Sequence, residues 1–201
     1  MIKNIIFDMG NVLVDFCWEE AFHKLGLEGE VFERVANATV RNADWNEFDL
    51  ANISHEEIIN KFVENDPEME AEIRHATESY EGLIKKRDYS EELIKKLQRA
   101  GYGVYILSNM SPEAFMECGD EMLCAKLADG AVYSCDCHMV KPDRRIYELL
   151  LEKYNLDAAE CVFLDDKLEN IEGGEAVGIK GIVFKNIDDA INELNRMGVN
   201  F

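Results

Sequence analysis

Asp8 ends an isoleucine-rich apolar run, Ile2–Phe7, and is followed by Met9, Gly10 and Asn11. A carboxylate held at the end of a buried strand is a candidate nucleophile. It can divide a difficult hydrolysis into formation and breakdown of a covalent intermediate. Ser108 and Asn109 follow Gly103–Leu107, Lys141 and Pro142 precede a helical pattern, and Asp165 and Asp166 follow Cys161–Leu164. An anionic attacker facing a phosphate needs positive charge nearby. Mg²⁺, which takes hard oxygen ligands and keeps several waters, suits Asp8 and Asp166 as ligands. Lys141 offers a fixed cation to a transferring phosphoryl group and can pair with Asp8. The Ser108 hydroxyl and the Asn109 N–H are donors for a phosphate oxygen, and Asn11 is a further candidate contact. Asp165 is suited to hold Lys141 or a metal-bound water, and Asn170 to bond the same loop. Taken singly, each is an ordinary turn or capping residue.

The elements between these residues explain why they should meet. Strand patterns at Ile2–Phe7, Gly103–Leu107, Ala131–Cys135, Cys161–Leu164 and Gly181–Phe184 alternate with helical ones. The helices are expected at Glu91–Ala100 (capped by Ser90), Asp143–Tyr154, Glu169–Val177 and Ile187–Met197, with a mostly helical stretch at Pro112–Leu127. Regular alternation with short connections implies an α/β fold, a doubly wound parallel sheet with helices on both faces. In such a sheet the carboxyl ends of the strands open onto one crevice. The stretch from Phe16 to Arg87 breaks the pattern with helical periodicity and no convincing strand. Its best signal is Ser54-His55-Glu56-Glu57, a capping box opening a helix over Glu56–Asn65. Residues 1–15 and 88–201 are therefore expected to form a Rossmann-like core, with 16–87 a small all-helical cap.

Charge bounds the partners. Asp and Glu number 41 against 21 Lys and Arg, a net charge of −20. That field disfavours nucleic acid and anionic lipid, and no segment reaches the roughly 20 apolar residues of a membrane span. Asp8 ends the first apolar run too early for a signal peptide, so a cytoplasmic setting with six reduced cysteines is expected. Cys135, Cys137 and His138 lack a second ligand pair for structural zinc and read as strand thiols and a loop histidine. Nothing in the sequence argues for a particular oligomeric state.

Phe7-Asp8-Met9-Gly10-Asn11-Val12-Leu13, Leu107-Ser108-Asn109, Lys141-Pro142 and Asp165-Asp166-Lys167-Leu168-Glu169-Asn170 resemble, in order and spacing, the four motifs of the haloacid-dehalogenase superfamily. The start and the ending are most similar to its alpha-D-glucose-1-phosphate phosphatases. The resemblance implies a Mg²⁺-dependent phosphatase that forms an aspartyl-phosphate on Asp8. It also implies a metal held by Asp8, Asp166 and the Gly10 carbonyl, and a small phosphate ester, such as a sugar phosphate, as substrate.

One position departs from that pattern. Most phosphatases of the superfamily carry a second Asp two residues after the nucleophile, as acid to the leaving group and then base to water; this chain has Gly10. Such a group contributes about 10²–10⁴-fold. Either the leaving group is good, or another residue supplies the proton, Asp15 being nearest in sequence, or the protein mainly binds phosphate as an interaction module. A dehalogenase is the rival enzyme, and Arg34, Arg41 and Arg74 in the cap are its candidate halide or carboxylate ligands. Substrate choice is expected to lie among Phe16, Trp18, His23, Trp45, Asn46 and Phe48, with His23 and Trp45 foremost. The cap is expected to hinge near Asp15–Cys17 and Arg87–Ser90.

Overall fold

The computed structural model describes residues 1–201. The chain enters through β1 (Asn4–Phe7), turns, and forms the short β2 (Val14–Phe16). Five helices follow: α1 (Trp18–Lys24), α2 (Gly29–Ala38), α3 (Trp45–Leu50), α4 (His55–Asn65) and α5 (Glu70–Ala76). β3 (Ile84–Lys86) closes this insertion. The alternating part then runs α6 (Ser90–Arg99), β4 (Gly103–Ser108), α7 (Pro112–Glu117), β5 (Gly130–Tyr133) and α8 (Ser134–Cys137). It ends with α9 (Arg144–Tyr154), β6 (Cys161–Asp165), α10 (Leu168–Glu175), β7 (Lys180–Val183) and α11 (Ile187–Arg196).

Five strands form one parallel sheet in the order β5-β4-β1-β6-β7. β1 lies at its centre because Ile5, Ile6 and Phe7 are all apolar and all buried, as a strand covered on both faces requires. Successive side chains point to opposite faces. Ile5, Phe7, Val104, Ile106, Val162 and Leu164 join one large core that continues into the insertion. Ile6, Leu107 and Phe163 pack on the other face with Ile146, Tyr147 and Leu150 of α9. The chain passes from β1 to β4 on one side and later to β6 on the other, so the crevice at the strand ends opens beside β1. α10 can lie close over β7 because position 181 is glycine, where a Cβ would collide with Ile171.

The parallel α/β core with its inserted helical region is the expected class, but three local expectations fail. The insertion is not all-helical: β2 and β3 pair antiparallel at its base, Val14 opposite Lys86 and Phe16 opposite Ile84. A three-residue strand carries no periodicity of its own, and only its partner some 70 residues away makes it a strand. The stretch Pro112–Leu127 is mostly helical as expected, with α7 followed by a 3₁₀ run, Gly119–Leu127, broken at non-helical Met122. β5 ends at Tyr133, so Cys135 and Cys137 lie on α8 rather than a strand. Ser90 is inside α6, and its hydroxyl donates to the Leu13 carbonyl instead of capping. The Ser54–Glu57 capping box is formed as expected. All six cysteines are free thiols, and no helix is long and apolar enough to cross a membrane.

Candidate active site

β1, β4 and β6 end side by side, and their polar followers meet there. Asp8 is buried; its Oδ1 accepts hydrogen bonds from the Met9 N–H (2.7 Å) and from Lys141 Nζ (2.8 Å), while its other oxygen has no partner. Lys141, 3% exposed, also reaches Asp165 Oδ2 at 2.7 Å. Burial works to lower the lysine's pKa, but the two carboxylates outweigh it and hold the amine above its ordinary value. Burial, and secondarily the Asp165 charge, push the Asp8 carboxyl up to about 6 against the opposing pull of Lys141.

Asp165 is wholly buried and spends its oxygens on Lys141, on the Asn170 amide (3.0 Å to each oxygen) and on the Lys167 N–H. Asn170 is in turn fixed by Tyr147, whose hydroxyl donates to the Asn170 carbonyl at 2.7 Å. Carboxylate oxygens of Asp8, Asp165 and Asp166 lie within 4.8 Å of one another, a spacing that suits a cation. With Asp165 fully engaged, Asp8 and Asp166 are the pair with capacity for hard-cation ligation.

Asn109 does more than the sequence suggested. Its side-chain oxygen accepts from the Lys141 N–H (2.8 Å) and its amide donates to the Lys141 carbonyl (3.2 Å). Ser108 is buried at the end of β4, and its hydroxyl makes only a long 3.4 Å contact to the Asn109 carbonyl. Asn11, in the left-handed region at φ 57, bridges the loop by donating to Asp166 (3.1 Å) and accepting from the Phe16 N–H. The carbonyls of Asn11, Val12 and Leu13 receive Arg87, Tyr89 and Ser90. These three residues behind the insertion thus fasten the loop after the nucleophile. The sequence marked this segment as a hinge and Ser90 as a helix cap, but not as a clasp on the loop after Asp8.

A cavity of ≈ 150 Å³ opens over these groups, lined by Asp8, Gly10, Asn11, Asn109, Lys141, Asp166, Lys167 and Asn170 from the core. The insertion contributes Phe16, Val40, Trp45, Asn46 and Asp49. Trp45 faces the cavity while packing on Phe62 and Phe48. His23 does not reach it; its ring stacks on Phe32 at 4.6 Å, where Trp18 also packs. Asp15 is also outside: it lies on β2 with its carboxylate held by Arg87 at 2.7 Å. Asp49, which sequence reasoning passed over, is in the cavity and only 8% exposed. One acid among 41 Asp and Glu, on a short helix, carries no distinguishing pattern.

A family model described as a haloacid dehalogenase-like hydrolase matches residues 2–178. The chain belongs to the haloacid dehalogenase-like hydrolases. It is similar to a sesquiterpene phosphatase of Aspergillus oryzae, 27% identical over 180 residues, covering 90% of this chain and 88% of that protein. It is also similar to a D-ribitol-5-phosphate phosphatase of Bacteroides thetaiotaomicron, 27% identical, covering 96% of this chain and 97% of that one. Of two longer curated relatives the chain spans only 19% and 37%. Among solved structures, a family enzyme of Bacteroides thetaiotaomicron in complex with magnesium and inorganic phosphate superposes with a TM-score of 0.69 at 22% identity. That alignment covers 92% of this chain and 95% of that one. The likeness shows a shared fold for this member of the family.

Proposed function

We propose that the chain is a Mg²⁺-dependent phosphatase that hydrolyses a small phosphate monoester through an aspartyl-phosphate on Asp8. The observation that carries this reading is the state of Asp8: one oxygen is pinned by Met9 and Lys141, the other is free, and Asp166 is alongside. The donor set fits a hard cation, with Asp8, Asp166 and the Gly10 carbonyl as its holders. When bound, Mg²⁺ supplies the positive charge that lets a carboxylate approach a phosphate.

The chain's own residues do the rest. Lys141 neutralises Asp8 before substrate arrives and then faces the phosphoryl oxygens. Asp165 and Asn109 hold Lys141 from its side chain and its main chain. Ser108 and the Asn109 N–H are the donors nearest the strand end for a phosphoryl oxygen, with Asn11 beside them. Insertion residues Phe16, Trp45 and Asn46 roof the cavity, where an aromatic face and an amide suit a polyol or sugar. A sugar phosphate such as glucose 1-phosphate is the finer reading. Its support is that roof of aromatic faces and an amide over the phosphoryl site.

The dehalogenase reading finds no comparable support. Arg34 is paired with Asp66 and Glu68, Arg41 with Glu33, and Arg74 with Glu56 and Glu70, all away from the cavity. The test is hydrolysis of p-nitrophenyl phosphate with Mg²⁺, with EDTA, and by Asp8→Asn. Turnover that survives EDTA or that substitution overturns the proposal. Binding of inorganic phosphate without turnover of any ester in a broad panel would favour the interaction module.

A further inference from the structure

The reaction proposed for Asp8 needs a proton for the departing oxygen and a base for the incoming water, and Gly10 can supply neither. Among the ionisable groups that line the cavity, Asp8 is the attacking carboxylate and Asp166, bonded by Asn11, is the carboxylate beside it that would hold the cation. Lys141 is locked between Asp8 and Asp165. Asp15 lies outside, held by Arg87. Two groups remain, Lys167 and Asp49.

Asp49 has the geometry of a working group rather than a structural one. Its carboxylate has neither a hydrogen-bond donor nor a salt-bridge partner in the protein. Yet no buried polar side-chain atom is left sealed and unsatisfied, so its oxygens communicate with solvent, and the cavity is the space it lines. Its backbone, by contrast, is pinned. The Ser134 hydroxyl donates to the Asp49 carbonyl at 2.7 Å while accepting from the Met110 N–H at 2.9 Å. The neighbouring Leu50 carbonyl bonds His138 Nδ1 at 2.9 Å. Met110 adjoins Asn109 and His138 lies just before Lys141, so α3 is fastened to the two core segments that build the phosphoryl site.

We propose that the Asp49 carboxyl, carried over the site by α3, is the acid and base of this enzyme in place of the side chain missing at Gly10. This inference rests on the phosphatase reading. In the first half-reaction the free oxygen of Asp8 bonds to phosphorus as the bond from phosphorus to the ester oxygen breaks. The Asp49 proton goes to that oxygen and an alcohol leaves. In the second, water attacks phosphorus and gives a proton to Asp49, the Asp8–phosphorus bond breaks, and inorganic phosphate departs with both side chains restored. The electrostatics agree with this role. Burial first, and then the Asp8 charge, push the Asp49 carboxyl up to about 7 against the pull of Lys167 and Lys141. A group titrating near the working pH can both give and accept a proton.

The test compares an alkyl phosphate, whose leaving group needs a proton, with p-nitrophenyl phosphate, whose leaving group does not. Asp49→Asn should lower kcat/KM on the alkyl ester by about 10²–10⁴-fold. The single-turnover release of p-nitrophenol should fall far less, and Mg²⁺-dependent binding of inorganic phosphate should be retained. Position 10 provides a second measurement, because rescue there shows that Asp49→Asn is folded and lacks only the proton transfer. A Cβ at Gly10 meets nothing within 4 Å, so an aspartate fits there. Gly10→Asp should restore alkyl ester turnover to Asp49→Asn. Equal losses on both esters, no loss at all, or no rescue of alkyl ester turnover by Gly10→Asp in the Asp49→Asn background would overturn the assignment. Activity retained by Asp8→Asn would instead overturn the phosphatase reading beneath it.

Discussion

Asn109 grips Lys141 by its main chain, accepting from its N–H at 2.8 Å and donating to its carbonyl at 3.2 Å. The end of β4 thereby sets where the lysine starts, and Asp8 and Asp165 set where its amine finishes. The clamp matters because an amine displaced by even an ångström no longer faces the phosphoryl group.

Removing the clamp should therefore impair chemistry more than folding. Asn109→Ala is expected to lower kcat on p-nitrophenyl phosphate by about 10–100-fold, the usual scale for a group that orients an active residue. Steady-state kinetics beside a circular dichroism spectrum will check this.

Lys141 itself is structural as well as reactive. Lys141→Met leaves Asp8 and Asp165 buried without their common cation, and breaking a buried pair costs on the order of 3–5 kcal/mol. The loss should be larger at pH 8 than at pH 5, because burial already holds Asp8 up to about 6 and its carboxyl must ionise without a cation at the higher pH. Urea denaturation at the two pH values measures it.

Asp49 makes a signed prediction about stability. Its folded pKa of about 7 lies above the ordinary 3.8, so between those values the folded state binds more protons than the unfolded one and stability falls as pH rises. Asp49→Asn removes that penalty. The variant should gain stability relative to the wild type on going from pH 4 to pH 8, by an amount on the order of 1–4 kcal/mol. Thermal melts across that range decide it; a constant difference would contradict the assignment.

Mg²⁺ should stabilise the folded chain, by about 2.7 kcal/mol at a hundred times its Kd. Asp166→Ala should abolish the shift in Tm. With Asp8 held up to about 6 in the metal-free protein, protons should compete with the cation, and the shift should shrink as pH falls below that value. Scanning calorimetry with MgCl₂ and with EDTA checks both.

At the roof of the cavity, Trp45→Ala should reorder preferences among sugar phosphates and shorter phosphate esters, while His23→Ala should not. Trp45 faces the cavity and His23 stacks on Phe32 outside it. A substrate panel for the two variants separates them.

Asp8, Asp165 and Asp166 were legible in the sequence because each terminates or follows an apolar run, and Lys141 because it precedes the helix after the third strand; strand–helix alternation brings such positions to one edge. The same periodicity located the five core strands and the helical insertion. The sequence could not reveal what depends on pairing between distant segments. β2 and β3 exist only through each other. Asn109 reads as a turn residue until Lys141 lies against it, and Ser90 reads as a cap until Leu13 takes its hydroxyl. Asp49 is the clearest case: one exposed-looking acid among many in an acidic insertion. Only the docking of α3 on Ser134 and His138 buries it beside Asp8, Lys141 and Lys167. Sequence spacing determined which groups could attack and bind a phosphate. Tertiary packing, which alone sets burial and neighbouring charge, decided which remaining acid lies where a proton is needed.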